Sequence, residues 1–321
     1  MKKMILERCV QLIILLFFVS VFCFGITYMA PGDSADLYIR SGMSEQQKQE
    51  IRKSLGVDKG PVEQYGRWLK KTLTGDFGVS LANFQPVMPQ ILEKLPATIL
   101  LMGSALFLAI LLSIPLGLVS GYKNGSLAEQ IISAVTCLGI SVPPFWFGII
   151  LIVVFSIKLG MLPTNGMRTV GVNSVSDVLV HLVLPVITLC FSMLASFTQY
   201  IRSSTIQELG EDYVQTARSR GCSEKKVLFG HVLKNSLLPV ITLAGMSLAS
   251  LVSGSVVLES LFGWPGIGTL ALSAIKSRDY PMIMAFTMIT CAVLVIGNFI
   301  ADILYLVVDP RIKQGVMKNY G

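Results

Sequence analysis

Charge is what this sequence has least of. Only 14% of its 321 residues are Asp, Glu, Lys or Arg, where soluble domains carry roughly a quarter. So little charge cannot clothe a water-exposed surface of this size, which excludes an ordinary soluble enzyme. The 53% hydrophobic content excludes a disordered chain as well. Histidine is nearly missing, represented by His181 and His231 alone. The six cysteines (Cys9, Cys23, Cys137, Cys190, Cys222 and Cys291) form no C-x-x-C pair, and five lie inside apolar runs. Neither a disulfide framework nor a metal site is legible, and no metal ligands are assigned. There is no G-x-x-x-x-G-K-[ST] and no Gly-Lys dipeptide, so the chain does not cradle nucleotide phosphates in that way.

What is present is long uncharged sequence. Six stretches, 9–30, 97–122, 131–157, 182–201, 237–258 and 281–301, carry no charge. Each can span about 30 Å of hydrocarbon as a helix. The first has Lys2, Lys3 and Arg8 before it, as a signal peptide would. It is longer than a signal core and lacks a clear small-x-small cleavage site, so it reads as a retained helix. The fold class expected is an all-α integral membrane protein with six transmembrane helices. Its divisions are 1–30 (N-terminus and first helix), 31–96 (an extracytoplasmic segment), 97–308 (helices two to six) and 309–321 (a tail).

The net charge of +7 has an explanation in orientation. With the N-terminus inside, the inner flanks and loops hold thirteen Lys and Arg, and the short outer loops hold only Lys158, Arg168, Lys276 and Arg278. That asymmetry places both termini in the cytoplasm and leaves no need to invoke nucleic acid. Pro115, Pro143, Pro144, Pro185 and Pro239 interrupt the apolar runs, where kinks are tolerated because neighbours satisfy the freed carbonyls. Gly117, Gly121, Gly139 and Gly148 offer places for close helix approach.

Two polar segments carry pattern. In 31–96, Ser44 and Gln47 have the form of a capping box, and Gly56 suits a helix end. Pro61 suits the first position of a second helix, whose apolar face is expected at Val62, Tyr65, Leu69 and Leu73. In 202–236, Ile206, Leu209, Tyr213 and Ala217 fall at helical spacing, and the pattern restarts after Gly221 with Ser223 as N-cap. The expectation is helix, glycine turn, helix, with an exposed apolar stripe for docking. A basic amphipathic segment also suits a lipid surface.

The run GEDYVQTARSRG at 210–221 resembles the cytoplasmic signature loop of ABC-importer permeases, in the form used by the peptide/nickel subfamily. Matching runs follow in order along the chain: LGVD at 55–58, QYGRWL at 64–69, GDFGVS at 75–80 and LPAT at 95–98. HVLKNSLLP at 231–239, FGWPGIG at 262–268, RDYP at 278–281 and DPRI at 309–312 complete the set. The resemblance implies the type I ABC-importer permease fold and a subunit that is not itself an enzyme. It implies a second homologous permease, one or two cytoplasmic ATPase subunits and an extracytoplasmic binding protein as partners. ATP and Mg would be bound by the ATPase subunits, and this chain would bind no cofactor. Glu211, Asp212, Ala217 and Gly221 match the loop that seats a coupling helix on an ATPase subunit, with Cys222 a small departure from an expected aliphatic residue. The location implied is the cytoplasmic (inner) membrane of a prokaryote.

Candidate pathway or gate residues are His181, at the start of helix four, Glu259, ending helix five, Trp264, and Asp302, near the inner end of helix six. A carboxylate at membrane depth rarely faces lipid, although pairing between helices explains the acids equally well. The solute expected is nickel, free or chelated, or a di- or oligopeptide. The short connection 158–180 resembles nickel-type members and tilts the expectation slightly to the metal. A membrane-embedded enzyme would need an acid–base pair that none of the apolar runs contains. A channel would need a polar filter or charged ring.

Overall fold

The computed structural model describes residues 2–29, 39, 43–55, 58–247 and 255–308, with side chains left out at 2–9, 54–55, 238–239, 242, 246 and 301–308. Among the described residues the regular structure is helical, with one isolated bridge between Val79 and Pro86. The helices are α1 (Lys2–Met29), α2 (Glu45–Leu55), α3 (Pro61–Leu73), α4 (Val87–Tyr122) and α5 (Leu127–Ser141). There follow α6 (Pro144–Leu151) with a π-helical continuation (Ile152–Lys158), α7 (Val175–Leu209) and α8 (Asp212–Ser219). Next come α9 (Glu224–Val227), a π-helical turn (Leu228–Val232), α10 (Leu233–Ser236) and α11 (Leu238–Ser247). The last are α12 (Val256–Leu261), α13 (Ile267–Ser277) and α14 (Tyr280–Val308).

Four of these are long and apolar enough to cross a membrane: Val10–Met29, Val87–Tyr122, Val175–Leu209 and Tyr280–Ile300. The third apolar run is not one straight span. α5 and α6 meet at an angle of 103°, because two consecutive prolines stop the hydrogen-bond ladder at Val142. The fifth run supplies α11 and α12 at its two ends, and 248–254 between them lies outside the described residues. The tail 309–321 and most of 30–42 lie outside them too.

α4 begins at Val87, well before the uncharged run at 97, with Pro96 inside the helix. The charges of Glu93 and Lys94 limit where α4 enters hydrocarbon and do not stop the helix. Its 36 residues make about 54 Å, so it projects beyond a hydrocarbon layer of about 30 Å.

α4 and α7 lie side by side as the spine of the bundle, and glycines set their spacing. A Cβ at Gly117 would meet Ile201 at 2.5 Å, and one at Gly121 would meet Thr205 at 2.6 Å. Gly139 of α5 approaches Ala195 in the same way, and Gly148 of α6 approaches Leu261. Membrane helices gain little from hydrophobic burial against each other, so backbone approach at small residues carries the packing. The main core lies between these helices, with Leu101, Met102, Ala105, Leu182 and Leu189 packed beneath Phe262 and Trp264.

The first polar segment folds as two short helices. The Ser44 amide donates to Gln47 Oε1 at 2.9 Å, and the Gln47 amide donates to Ser44 Oγ at 3.3 Å, a reciprocal capping box. α3 starts at Pro61, as its sequence suggests, but only the middle of its expected face, Tyr65 and Leu69, is partly buried. Val62 and Leu73 are 83% and 79% exposed. Tyr65 and Trp68 instead lie against Phe24 of α1, at ring-centroid distances of 5.4 and 6.0 Å. Tyr65 Oη also hydrogen-bonds Ser20 Oγ at 2.8 Å. An aromatic pair three residues apart contacts α1 better than the aliphatic row, because rings add edge and face contacts to their buried area.

Candidate functional site

Two clusters of candidate residues lie at opposite ends of the bundle. One end carries 202–236. α7 runs past its apolar stretch to Leu209, and Glu211 starts the short helix α8 as its N-cap residue. Gly221 makes the next turn at φ +76°, the left-handed region where a side chain is strained. Its amide donates to the Arg218 carbonyl at 2.9 Å, and the Cys222 amide donates to Ala217 at 3.2 Å. Ser223 then caps α9 through its hydroxyl, as its position suggested.

The apolar stripe of this segment is not exposed. Val214, Val227 and Val232 are fully buried, and Ala217 is buried with them, flanked by Leu209, Tyr213, Cys222 and Leu228. The stripe closes the two helices on each other, because a helix pair this small has no other core. Ala217 therefore allows α8 to approach α9. The surface left over is polar, with Glu211, Asp212, Gly221, Lys225 and Lys226 exposed, and Phe229 as its large apolar member.

A half-buried acceptor organises the base of this module. Glu208 Oε2 accepts from the Tyr213 hydroxyl and from Asn235 Nδ2 at 2.9 Å. Burial, and then the Glu208 carboxylate, push the Tyr213 hydroxyl up to about 12. Arg218 grips Glu224 with two parallel bonds of 2.9 and 3.1 Å, which hold the Glu224 carboxyl below its ordinary range.

The opposite end is tied by acids that reach across the sequence. Glu259 is fully buried. Its carboxylate accepts from Thr98 Oγ1 of α4 at 2.9 Å and from the Thr269 amide in the first turn of α13 at 3.0 Å. A helix N-terminus is a natural seat for a carboxylate. The glycines of 262–268 make room for it, since a Cβ at Gly266 or Gly268 would lie 2.5 or 2.8 Å from its carboxyl group. Trp264, also fully buried, donates Nε1 to the Ala97 carbonyl at 2.8 Å. The Ile267 amide donates to Thr98 Oγ1 at 2.8 Å. Thr98 thus receives α13 and holds Glu259 with one hydroxyl.

His181 lies elsewhere, on α7. It is buried, with Nδ1 2.8 Å from the Asp177 carbonyl. Asp177 is itself bonded to the Thr169 amide and hydroxyl at 2.7 and 2.8 Å. The structure brings Glu259 and Trp264 together and leaves His181 in this separate cluster. The side chain of Asp302 lies outside the described residues.

A third tie escaped sequence reading. Asp279 is buried and caps the start of α14. It accepts from Ser80 Oγ and from the Leu81 amide, the latter at 3.0 Å. The runs GDFGVS and RDYP supply Ser80 and Asp279, but nothing in either one signals the other. At the α8–α10 end, Arg202 of α7 pairs with Glu129 of α5 at 2.9 Å, a second long-range contact without a local signature.

Comparison with known proteins places this architecture. The family model described as binding-protein-dependent transport system inner membrane component matches residues 113–314. The N-terminal model of such membrane components matches residues 1–102. The chain is 40% identical to an oligopeptide transport system permease protein of Bacillus subtilis, over 98% of this chain and 100% of that one. It is 32% identical to the glutathione transport system permease protein of Escherichia coli K12, over 98% and 99%. Among solved structures, a chain of the inward-facing MetNI methionine ABC transporter superposes with a TM-score of 0.54 at 14% identity, covering 69% of this chain and 97% of that one. The fold is that of type I ABC-importer permeases. The chain belongs to the family of binding-protein-dependent transport system inner membrane components and is a permease subunit of an ABC importer.

Proposed function

We propose that this permease carries peptides, with the α8–α10 module facing the cytoplasm and α2, α3 and the 262–268 loop facing outward. The observation that carries the substrate reading is the end-to-end similarity to an oligopeptide permease at 40% identity. The sequence lean toward nickel rested on the short connection 158–180. Loop length is a weak guide, because surface loops change length at little thermodynamic cost. The relatives named above favour the peptide alternative. The orientation rests on thirteen basic residues against four in the short loops and flanks.

In this reading the chain forms half of the pathway beside a second homologous permease. A binding protein delivers the solute, and one or two ATPase subunits bind ATP and Mg. The coupling surface is the exposed start of α8, Glu211 and Asp212, together with the Gly221 turn. Ala217 acts from within, keeping α8 seated on α9. Glu259 and Trp264 position the outward loop against α4, so a gate there would move α12 and α13 as one body. His181 and Asp302 stay as candidates for the pathway itself.

Uptake of a labelled oligopeptide and of radioactive nickel should be compared in cells with and without this gene. Loss of peptide uptake with nickel uptake unchanged is the expected result. The reverse pattern would return the assignment to the metal.

A further inference from the structure

Between α4, α5 and α7 lies an apolar groove of about 240 Å³, lined by Leu116, Ile132, Val135, Thr136, Phe191 and Leu194. Its one polar wall residue is already satisfied. Thr136 donates its hydroxyl to the Ser133 carbonyl at 3.0 Å and accepts from Gln199 Nε2 at 2.6 Å. A peptide in this groove would leave its amides without partners, a heavy penalty in apolar surroundings. Water fits no better, since apolar cavities of about 150 Å³ stay dry and take hydrocarbon. One lip is open along Ile131, Val135 and Leu138, all exposed on α5.

Toward the α8–α10 end the same helices become polar. Arg202 reaches Glu129 Oε1 at 2.9 Å and Asn124 Oδ1 at 3.4 Å. Lys123 and Asn124 are exposed in the turn between α4 and α5. Glu129 is paired with Arg202, and Glu224, which reaches Tyr122 beside Lys123, is paired with Arg218, so Lys123 leaves one positive charge in excess. Eight residues separate Ile132 from Asn124, and eight separate Leu194 from Arg202. On α7 the interval is about 12 Å of helix, within the half-thickness of a hydrocarbon layer of about 30 Å, while the one from Asn124 to Ile132 is part turn and part α5. Charged group and groove are therefore spaced as the phosphate and mid-chain of one phospholipid.

We propose that the groove holds an acyl chain of an anionic phospholipid whose phosphate rests at Lys123 and Arg202. The bound chain fills the space that α5 leaves against α4 and α7, next to the bend at Val142 and Pro143. It thereby supports the broken helix from the lipid side.

The test uses the full chain with the subunits that purify with it, in phosphatidylcholine nanodiscs. Phosphatidylglycerol and phosphatidylcholine probes carry the same photoactivatable diazirine chain, and labelled residues are mapped by mass spectrometry. Label at Ile132, Val135 and Leu194 should be about fivefold stronger from phosphatidylglycerol, the preference of one basic residue for an anionic surface. Lys123→Gln, at an exposed position, should erase that preference. Val135→Trp should fill the groove and lower label at Leu194, with label at the exposed α4 residues Phe107 and Leu111 unchanged. Equal groove labelling from both probes would overturn the headgroup assignment. Groove residues that neither probe labels, and that instead cross-link to a second permease chain, would overturn the lipid site itself.

Discussion

The two ends of the bundle hold together in different ways. At the end that carries 262–268, buried side chains join residues far apart in sequence: Glu259 with Thr98, Asp279 with Ser80, and the Trp264 indole with Ala97. Within the α8–α10 module the bonds are nearly local, Glu208 with Tyr213, Arg218 with Glu224 and Gly221 with Arg218, and the long-range pair Arg202–Glu129 ties α7 to α5 beside it. The first end is a knot that fixes α4 against α12, α13 and α14. The second is a module with its own small core, set against α4, α7 and α11 through Leu228 and Leu233. A machine that passes force from a partner into the bundle benefits from this division: the module can move as a unit, and the far loops keep their register.

Breaking the knot should have the largest effect. Glu259→Ala removes the acceptor for Thr98 and for the start of α13 and leaves a cavity in a fully buried place. Buried donors left unpaired cost about 1–3 kcal/mol each. The expected outcome is severe loss of folded chain in the membrane, read by abundance and by thermal unfolding in detergent. Glu259→Gln keeps the shape and should recover much of that loss. Full stability of the alanine variant would show that the acid does not hold this end together.

The spine comes next. Gly117→Val places a branched side chain where a single Cβ already lies 2.5 Å from Ile201. Overpacking typically costs about 1–3 kcal/mol, so α4 and α7 should separate and the melting temperature should fall. An equal substitution at Gly75, with nothing within 4 Å but φ +83°, would register backbone strain alone and should cost less.

The contrast also explains what the sequence could reveal. Local devices were legible: the Ser44–Gln47 box, Pro61 at a helix start, the Gly221 turn and the Ser223 cap. Each is decided by a few neighbouring residues. The direction of the apolar stripe in 202–236 was not, because periodicity shows that a face is apolar and not what covers it. The same limit applied to α3, where Val62 and Leu73 share the period and yet stay exposed. The pairing of Ser80 with Asp279 lay beyond reach, since nothing local records a partner 199 residues away. Glu259 stood out only as a carboxylate in apolar sequence. Its partners had to be seen.

The module should respond to substitution through coupling more than through stability. Gly221 has open space around it, so Gly221→Leu meets no clash and bears only its left-handed backbone, a cost of roughly 1 kcal/mol. Insertion and folding should survive while ATP-driven uptake falls sharply. Reconstituted complex would show this as ATP hydrolysis that continues without transport. Normal uptake by the variant would remove Gly221 from the coupling surface.

The smallest effect belongs to Tyr213, and pH isolates it. In the folded chain its hydroxyl titrates at about 12, against 10.0 for a free tyrosine. Below pH 10 both states are protonated, so the contribution of this hydroxyl to stability is present in full and does not vary with pH. Between 10 and 12 the unfolded tyrosine gives up its proton first, the native chain holds more protons, and stability declines as pH rises. Tyr213→Phe loses the bond to Glu208, a change of about 1 kcal/mol at neutral pH, and loses this slope with it. Thermal unfolding of the two proteins should therefore differ modestly at pH 7 and converge as the pH climbs through that window. Lysines titrate there as well, but equally in both proteins, so the difference between the curves reports Tyr213. A difference constant from pH 7 to 12 would mean that the hydroxyl is open to solvent, and that the α8–α10 module is looser at its base than the knot at the other end.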